Sequence, residues 1–131
     1  MVTDEVHILP TKKTPEFILK PEGFIKIKGR AIDESRTGIP GQIMSWIDAY
    51  LLNPAESTEV IIALEFLNSF NTIVLTSTLK KISQVIQQGK KLIIRWYYDE
   101  DDVDLFERGE YISATLNIPI EFIMTDDIYD C

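Results

Sequence analysis

Five consecutive apolar residues, Val60-Ile61-Ile62-Ala63-Leu64, lie between two segments of helical period, and nothing else in the chain restricts its fold as much. A strand with one wet face alternates apolar and polar residues; this run does not alternate, and it reads as a strand covered on both faces. It continues through Glu65 to Leu67. Upstream, Ile43, Ile47 and Leu51 recur every four residues with Trp46 and Tyr50 beside them, which predicts a helix from about Gly38 that ends near Asn53-Pro54. Downstream, Leu75, Leu79, Ile82 and Ile86 step by four, three and four until Gln88-Gly89, which predicts a second helix over about 71–87.

The flanks extend the same alternation of elements. Glu16-Phe17-Ile18-Leu19, a Pro21-Glu22-Gly23 turn and Phe24 to Gly29 form an antiparallel edge hairpin. Leu92 to Tyr98 is rich in branched and aromatic residues and reads as a strand. A third helix near Val103 to Leu116 and a last strand, Ile120 to Met124, complete the order β-β-α-β-α-β-α-β. Such alternation implies a single α/β domain over residues 1–131, with a mixed, mainly parallel sheet reached by right-handed crossovers. Residues 1–12 read as a loose N-terminal tail.

Composition narrows the classes of function. At 45% apolar and 26% charged residues, the 131-residue chain has the content of one folded domain rather than of a disordered segment. A net charge of −8 opposes phosphate backbones and anionic membrane surfaces, so nucleic acid is not expected as a partner. Cys131 is the one cysteine, which leaves no intrachain disulfide and no cysteine metal set, and a reducing cytoplasm is expected. Met1 to Thr11 has neither the basic nor the apolar region of a signal peptide, and no apolar run approaches a membrane-spanning length.

The usual phosphate-cradling and nucleophile motifs are absent, and no convergent nucleophile, base and oxyanion set is visible, so an enzyme is not expected. The lone histidine, His7, falls in the tail. The run Asp99-Glu100-Asp101-Asp102-Val103-Asp104 lacks the glycine and distal glutamate of a calcium loop and reads as a capped helix start. Alternation sends Trp96 and Tyr98 to one face of their strand and Tyr97 to the other, which favours core packing. No cofactor or metal site is expected.

One polar junction stands out, Asn68-Ser69-Phe70-Asn71-Thr72, between the most apolar strand and a helix with no charge in its first two turns. Asn and Ser are preferred helix caps. The same position, a strand end facing a helix start, is also where α/β proteins bind ligands and favour anions. A small-molecule or nucleotide-binding crevice and a phosphate-carrying hydroxyl both fit it.

Phe66-Leu67-Asn68-Ser69, Gly89-Lys90-Lys91, the block Arg95-Trp96-Tyr97-Tyr98-Asp99-Glu100-Asp101-Asp102 and Leu116-Asn117-Ile118-Pro119-Ile120-Glu121-Phe122 resemble the SiaC family of bacterial regulatory phosphoproteins. The likeness also takes in Pro10-Thr11, Thr14-Pro15 and Ile27-Lys28-Gly29-Arg30. It implies an anti-sigma-factor-antagonist-like, STAS-like fold and a phosphorylation-controlled protein-binding switch in a partner-switching module. It implies as partners a serine/threonine kinase with a histidine-kinase-like ATPase domain, a PP2C-type phosphatase, and a diguanylate cyclase or other effector bound by the unphosphorylated form. The family's Asn-Thr-Ser-Ser pattern implies Ser69 as phosphoacceptor, with Thr72 second because Phe70 and Asn71 replace hydroxyl residues, and it implies Asn68 to Thr72 as partner-binding.

Overall fold

The computed structural model describes residues 4–33 and 38–131. Six strands make one sheet in the order in which they occur along the chain: β1 (Val6–Ile8), β2 (Glu16–Lys20), β3 (Phe24–Ala31), β4 (Ser57–Leu67), β5 (Lys91–Asp99) and β6 (Glu121–Thr125). Pairing is antiparallel between β1, β2 and β3 and parallel from β3 to β6. The hairpin turns at Gly23, whose φ of 107° suits glycine, and a β-carbon there would meet Ser57 O at 2.3 Å. The fold class and the antiparallel start are those that the sequence implies.

The segment expected to be a loose tail contributes a strand instead. Val6 pairs with Leu19 and Ile8 with Phe17, which places both aliphatic side chains on the core face. His7 points the other way and bonds Glu16 Oε2 at 2.7 Å. Three residues are too few to announce a strand by their own pattern; the open edge of β2 supplies the partner that orders them.

Helices α1 (Ile39–Leu51), α2 (Ser69–Ile82), the single turn α3 (Gln84–Gln87) and α4 (Val103–Leu116) connect the parallel strands. The helix expected over 71–87 starts two residues earlier and breaks after Ile82, where Ser83 Oγ donates back to Lys80 O at 2.6 Å. Its C-terminal stop stands, with Gly89 at φ 78°.

Because each parallel strand lies beside the next one in sequence, right-handed crossovers place the three longer helices on one face. Ile25, Ile27, Val60, Ile62, Leu64, Ile94 and Trp96 are buried beneath them. The expectation that β4 is covered on both faces holds, with Ala63 as buried as Val60 and Ile62, but among the described residues the second cover is not a layer of α-helices. There Ala63 and Ile61 are shielded by Arg30 paired with Glu65, Arg95 paired with Glu59 and Glu121, and a 3₁₀ turn, Ile128–Asp130, that comes back from β6. Lys28 Nζ donates to Tyr129 O at 2.7 Å and Lys26 Nζ to Cys131 O at 2.5 Å, while Ile128 is buried. Long cationic stems and one returning turn do for this face what a helix layer does for the other.

Candidate functional site

At the carboxyl end of β4, the backbone N–H of Asn68 donates to Ala31 O and its extended φ/ψ places it as the N-cap of α2. Its Oδ1 accepts from Asn71 N at 2.9 Å, satisfying one of the orphan donors of the first turn. Its Nδ2 donates to Ile32 O at 3.0 Å, and Asn71 Nδ2 donates both to Asp33 O at 3.0 Å and to Asn68 Oδ1 at 2.8 Å. The two amides thus tie the start of α2 to the chain leaving β3. Their role in this arrangement is positional.

The two hydroxyls of the junction differ in state. Thr72 Oγ1 donates to Asn68 O at 2.7 Å and accepts from Arg108 Nη1 at 2.9 Å, so it is engaged on both sides. Ser69, the first residue of α2, is exposed, and its hydroxyl has no hydrogen bond to any described residue. Phe70 beside it is 41% exposed.

An open groove of about 390 Å³ runs between α2 and α4, lined by Ser69, Thr72, Ile73, Asp104, Glu107, Arg108 and Tyr111. Ile73 is 68% and Tyr111 64% exposed, so two large apolar side chains stand in water beside Ser69. Sequence reading missed the α4 contribution. Positions 104, 107, 108 and 111 share one helical face, and a tyrosine among its charges was the available signal. What the spacing could not supply was that this face abuts α2.

The other candidates take structural places. Asp102 caps α4, accepting from Leu105 N at 3.1 Å, and Asp99 Oδ1 accepts from Asp101 N at 2.9 Å. Trp96 is buried; Tyr98 packs on Phe106 with ring centroids 4.9 Å apart, and Tyr97 faces the opposite side of the sheet. The crevice behind the junction, lined by Phe17, Leu64, Phe70, Asn71 and Val74 among others, encloses about 60 Å³. Small-molecule sites run on the order of 300–1,000 Å³. No helix among the described residues is long and apolar enough to cross a membrane.

Residues 8–125 match the family model described as SiaC family regulatory phosphoprotein. An uncharacterised protein of Pseudomonas aeruginosa strain UCBPP-PA14 is 22% identical over 124 residues, covering 94% of this chain and 98% of that protein. Among solved structures, apo-SiaC from Pseudomonas aeruginosa superposes with a TM-score of 0.81 at 22% identity, over 92% of this chain and 98% of that one. A SiaC chain from the crystal structure of the diguanylate cyclase SiaD in complex with its activator SiaC, from the same organism, gives a TM-score of 0.81 at 21% identity, over 92% and 99%. At such identities the structural likeness speaks for the fold.

Proposed function

We propose that this chain, which belongs to the SiaC family of regulatory phosphoproteins, is a protein-binding switch whose α2–α4 face docks a signalling partner and whose Ser69 hydroxyl carries the control. The observation that carries the reading is the contrast between the two hydroxyls: Ser69 is exposed and unbonded at the lip of the groove, whereas Thr72 is held by Asn68 O and Arg108. An incoming kinase needs a hydroxyl it can reach without unwinding a helix. Ser69 meets that requirement and Thr72 does not.

In this reading a serine/threonine kinase with a histidine-kinase-like ATPase domain transfers the γ-phosphoryl group of ATP to Ser69 Oγ, which loses its proton as ADP leaves. A PP2C-type phosphatase hydrolyses the ester to restore the hydroxyl. Both reactions place the protein in the cytoplasm. The favoured effector is a diguanylate cyclase, because one of the similar structures holds SiaC as the activator of such an enzyme. The chain acts here as a substrate and a regulator, not as a catalyst.

Phosphorylation would add roughly two negative charges beside the exposed Ile73 and Tyr111 in the same groove. A partner surface that fits the bare hydroxyl must then desolvate a dianion, and a loss of about 3 kcal/mol weakens binding by more than a factor of about 100. The test is calorimetric titration of Ser69→Ala and Ser69→Asp proteins with a diguanylate cyclase encoded in the same genome. Binding retained by Ser69→Ala and lost by Ser69→Asp is the expected result; equal affinity of the two variants would remove the reading.

A further inference from the structure

Three arginines lie among the described residues, and two of them have carboxylate partners: Arg30 with Glu65, and Arg95 with Glu59 and Glu121. Arg108 has none, although the chain carries a net charge of −8 and Asp104 and Glu107 line the same groove. Its side chain is half-buried, and the hydrogen bond it makes goes to a neutral acceptor, the Thr72 hydroxyl at 2.9 Å. A guanidinium at the edge of a protein of this charge, bonded to a hydroxyl in place of a carboxylate, keeps most of its donor fork available.

Thr72 and Ser69 are three residues apart on α2, which sets their β-carbons roughly 5–6 Å from each other on one face. The guanidinium that touches Thr72 therefore sits within one side-chain reorientation of Ser69 Oγ. Phosphate oxygens match the planar fork of arginine bidentately, and charge-assisted bonds of that kind are roughly twice as strong as a bond to a neutral hydroxyl.

We infer that Arg108 is the internal reader of the Ser69 phosphoryl group: on modification its guanidinium leaves Thr72 Oγ1 and closes on the phosphate oxygens, joining α4 to the first turn of α2. This rests on Ser69 being the modified residue and adds a second component to the switch. The joined side chains lie across the groove between Ile73 and Tyr111, so a partner loses the shape of its docking surface as well as meeting new charge. Asp104 and Glu107 line the same groove and oppose the phosphate, which leaves Arg108 as the one cation lining that groove to offset the new charge.

The test uses the full chain with phosphoserine genetically encoded at position 69, so that no kinase is needed, in otherwise wild-type, Arg108→Gln and Arg108→Lys backgrounds. The phosphorus NMR signal is titrated with pH. Pairing with Arg108 lowers the second phosphate pKa from about 6 by roughly one unit, a tenfold change, in the wild-type background. Arg108→Gln returns it to about 6, and Arg108→Lys, which keeps charge without the fork, gives a smaller lowering. Identical titrations in the wild-type and Arg108→Gln backgrounds overturn the inference. The same samples are titrated with the diguanylate cyclase. Cyclase release that persists with no pKa difference leaves the switch standing and removes Arg108 from it. A lowered pKa with undiminished cyclase binding keeps the Arg108 pair and removes the switch.

Discussion

Gly109 lies flat against Trp96: a β-carbon at residue 109 would stand 2.8 Å from indole Cε2 and 2.7 Å from Phe122 Cε1. Helix α4 comes as close to β5 as it does because that residue has no side chain. This approach also sets the height at which the neighbouring Arg108 meets Thr72. Gly109→Ala should therefore destabilise the fold by about 1–3 kcal/mol through overpacking, outweighing the better helix propensity of alanine. Urea denaturation measures the loss, and the near-ultraviolet dichroism of Trp96 should change with it. A stabilised Gly109→Ala protein would mean that α4 sits further out than described.

Asn68→Ala removes a cap and the amide that holds Ile32 O, and should cost about 1–2 kcal/mol. Asn68→Asp keeps an acceptor for Asn71 N but loses the donor to Ile32 O, so its cost should fall between those of wild type and Asn68→Ala. Thermal unfolding of the three proteins gives the order directly.

The two hydroxyls should separate by stability alone. Ser69→Ala removes an exposed, unbonded group and should stay within about 0.5 kcal/mol of wild type, whereas Thr72→Val breaks two hydrogen bonds and should cost about 1 kcal/mol or more. Incubated with the cognate kinase and labelled ATP, Thr72→Val should still accept phosphate and Ser69→Ala should not.

Alkaline pH should loosen the returning turn. Burial first, and then the Glu65 carboxylate that accepts from its hydroxyl, raise the Tyr129 pKa above the usual value of 10. A raised pKa means that the folded state holds the proton more tightly than the unfolded chain, so this contribution is complete below about pH 10 and disappears as pH climbs through the raised value. In a tyrosinate titration followed by absorbance, the difference between wild type and Tyr129→Phe should be a late-ionising component. Glu65→Gln should move that component towards lower pH without abolishing the shift, because burial remains.

Strand and helix identities from β2 onward were legible because each carries its period in its own residues, from Ile43, Ile47 and Leu51 in α1 to Leu75, Leu79 and Ile82 in α2. The order of elements then implied the parallel sheet. Where reading failed, or gave the burial without what supplies it, the deciding partner lay elsewhere in the chain. Val6 and Ile8 become a strand because β2 offers an edge, and Ala63 is buried by lysine and arginine stems and by a turn 65 residues further on, at Ile128. The junction Asn68 to Thr72 was legible as a helix start. Its division into two positional amides, one occupied hydroxyl and one free hydroxyl was not, since Arg108, Ile32 and Asp33 decide it and none is a sequence neighbour.

A sheet whose spatial order repeats its sequence order also sets how the chain is assembled. Each strand pairs with the one made just before it, so none has to be inserted between two that are already joined. The domain can grow strand by strand as it leaves the ribosome, its contacts kept largely between successive elements. The exception is the turn at Ile128–Asp130 with Cys131 after it, where Tyr129 O and Cys131 O accept from Lys28 and Lys26 across more than 100 residues. Vectorial synthesis thus builds the layered body early and leaves the charged side of the sheet to be latched last.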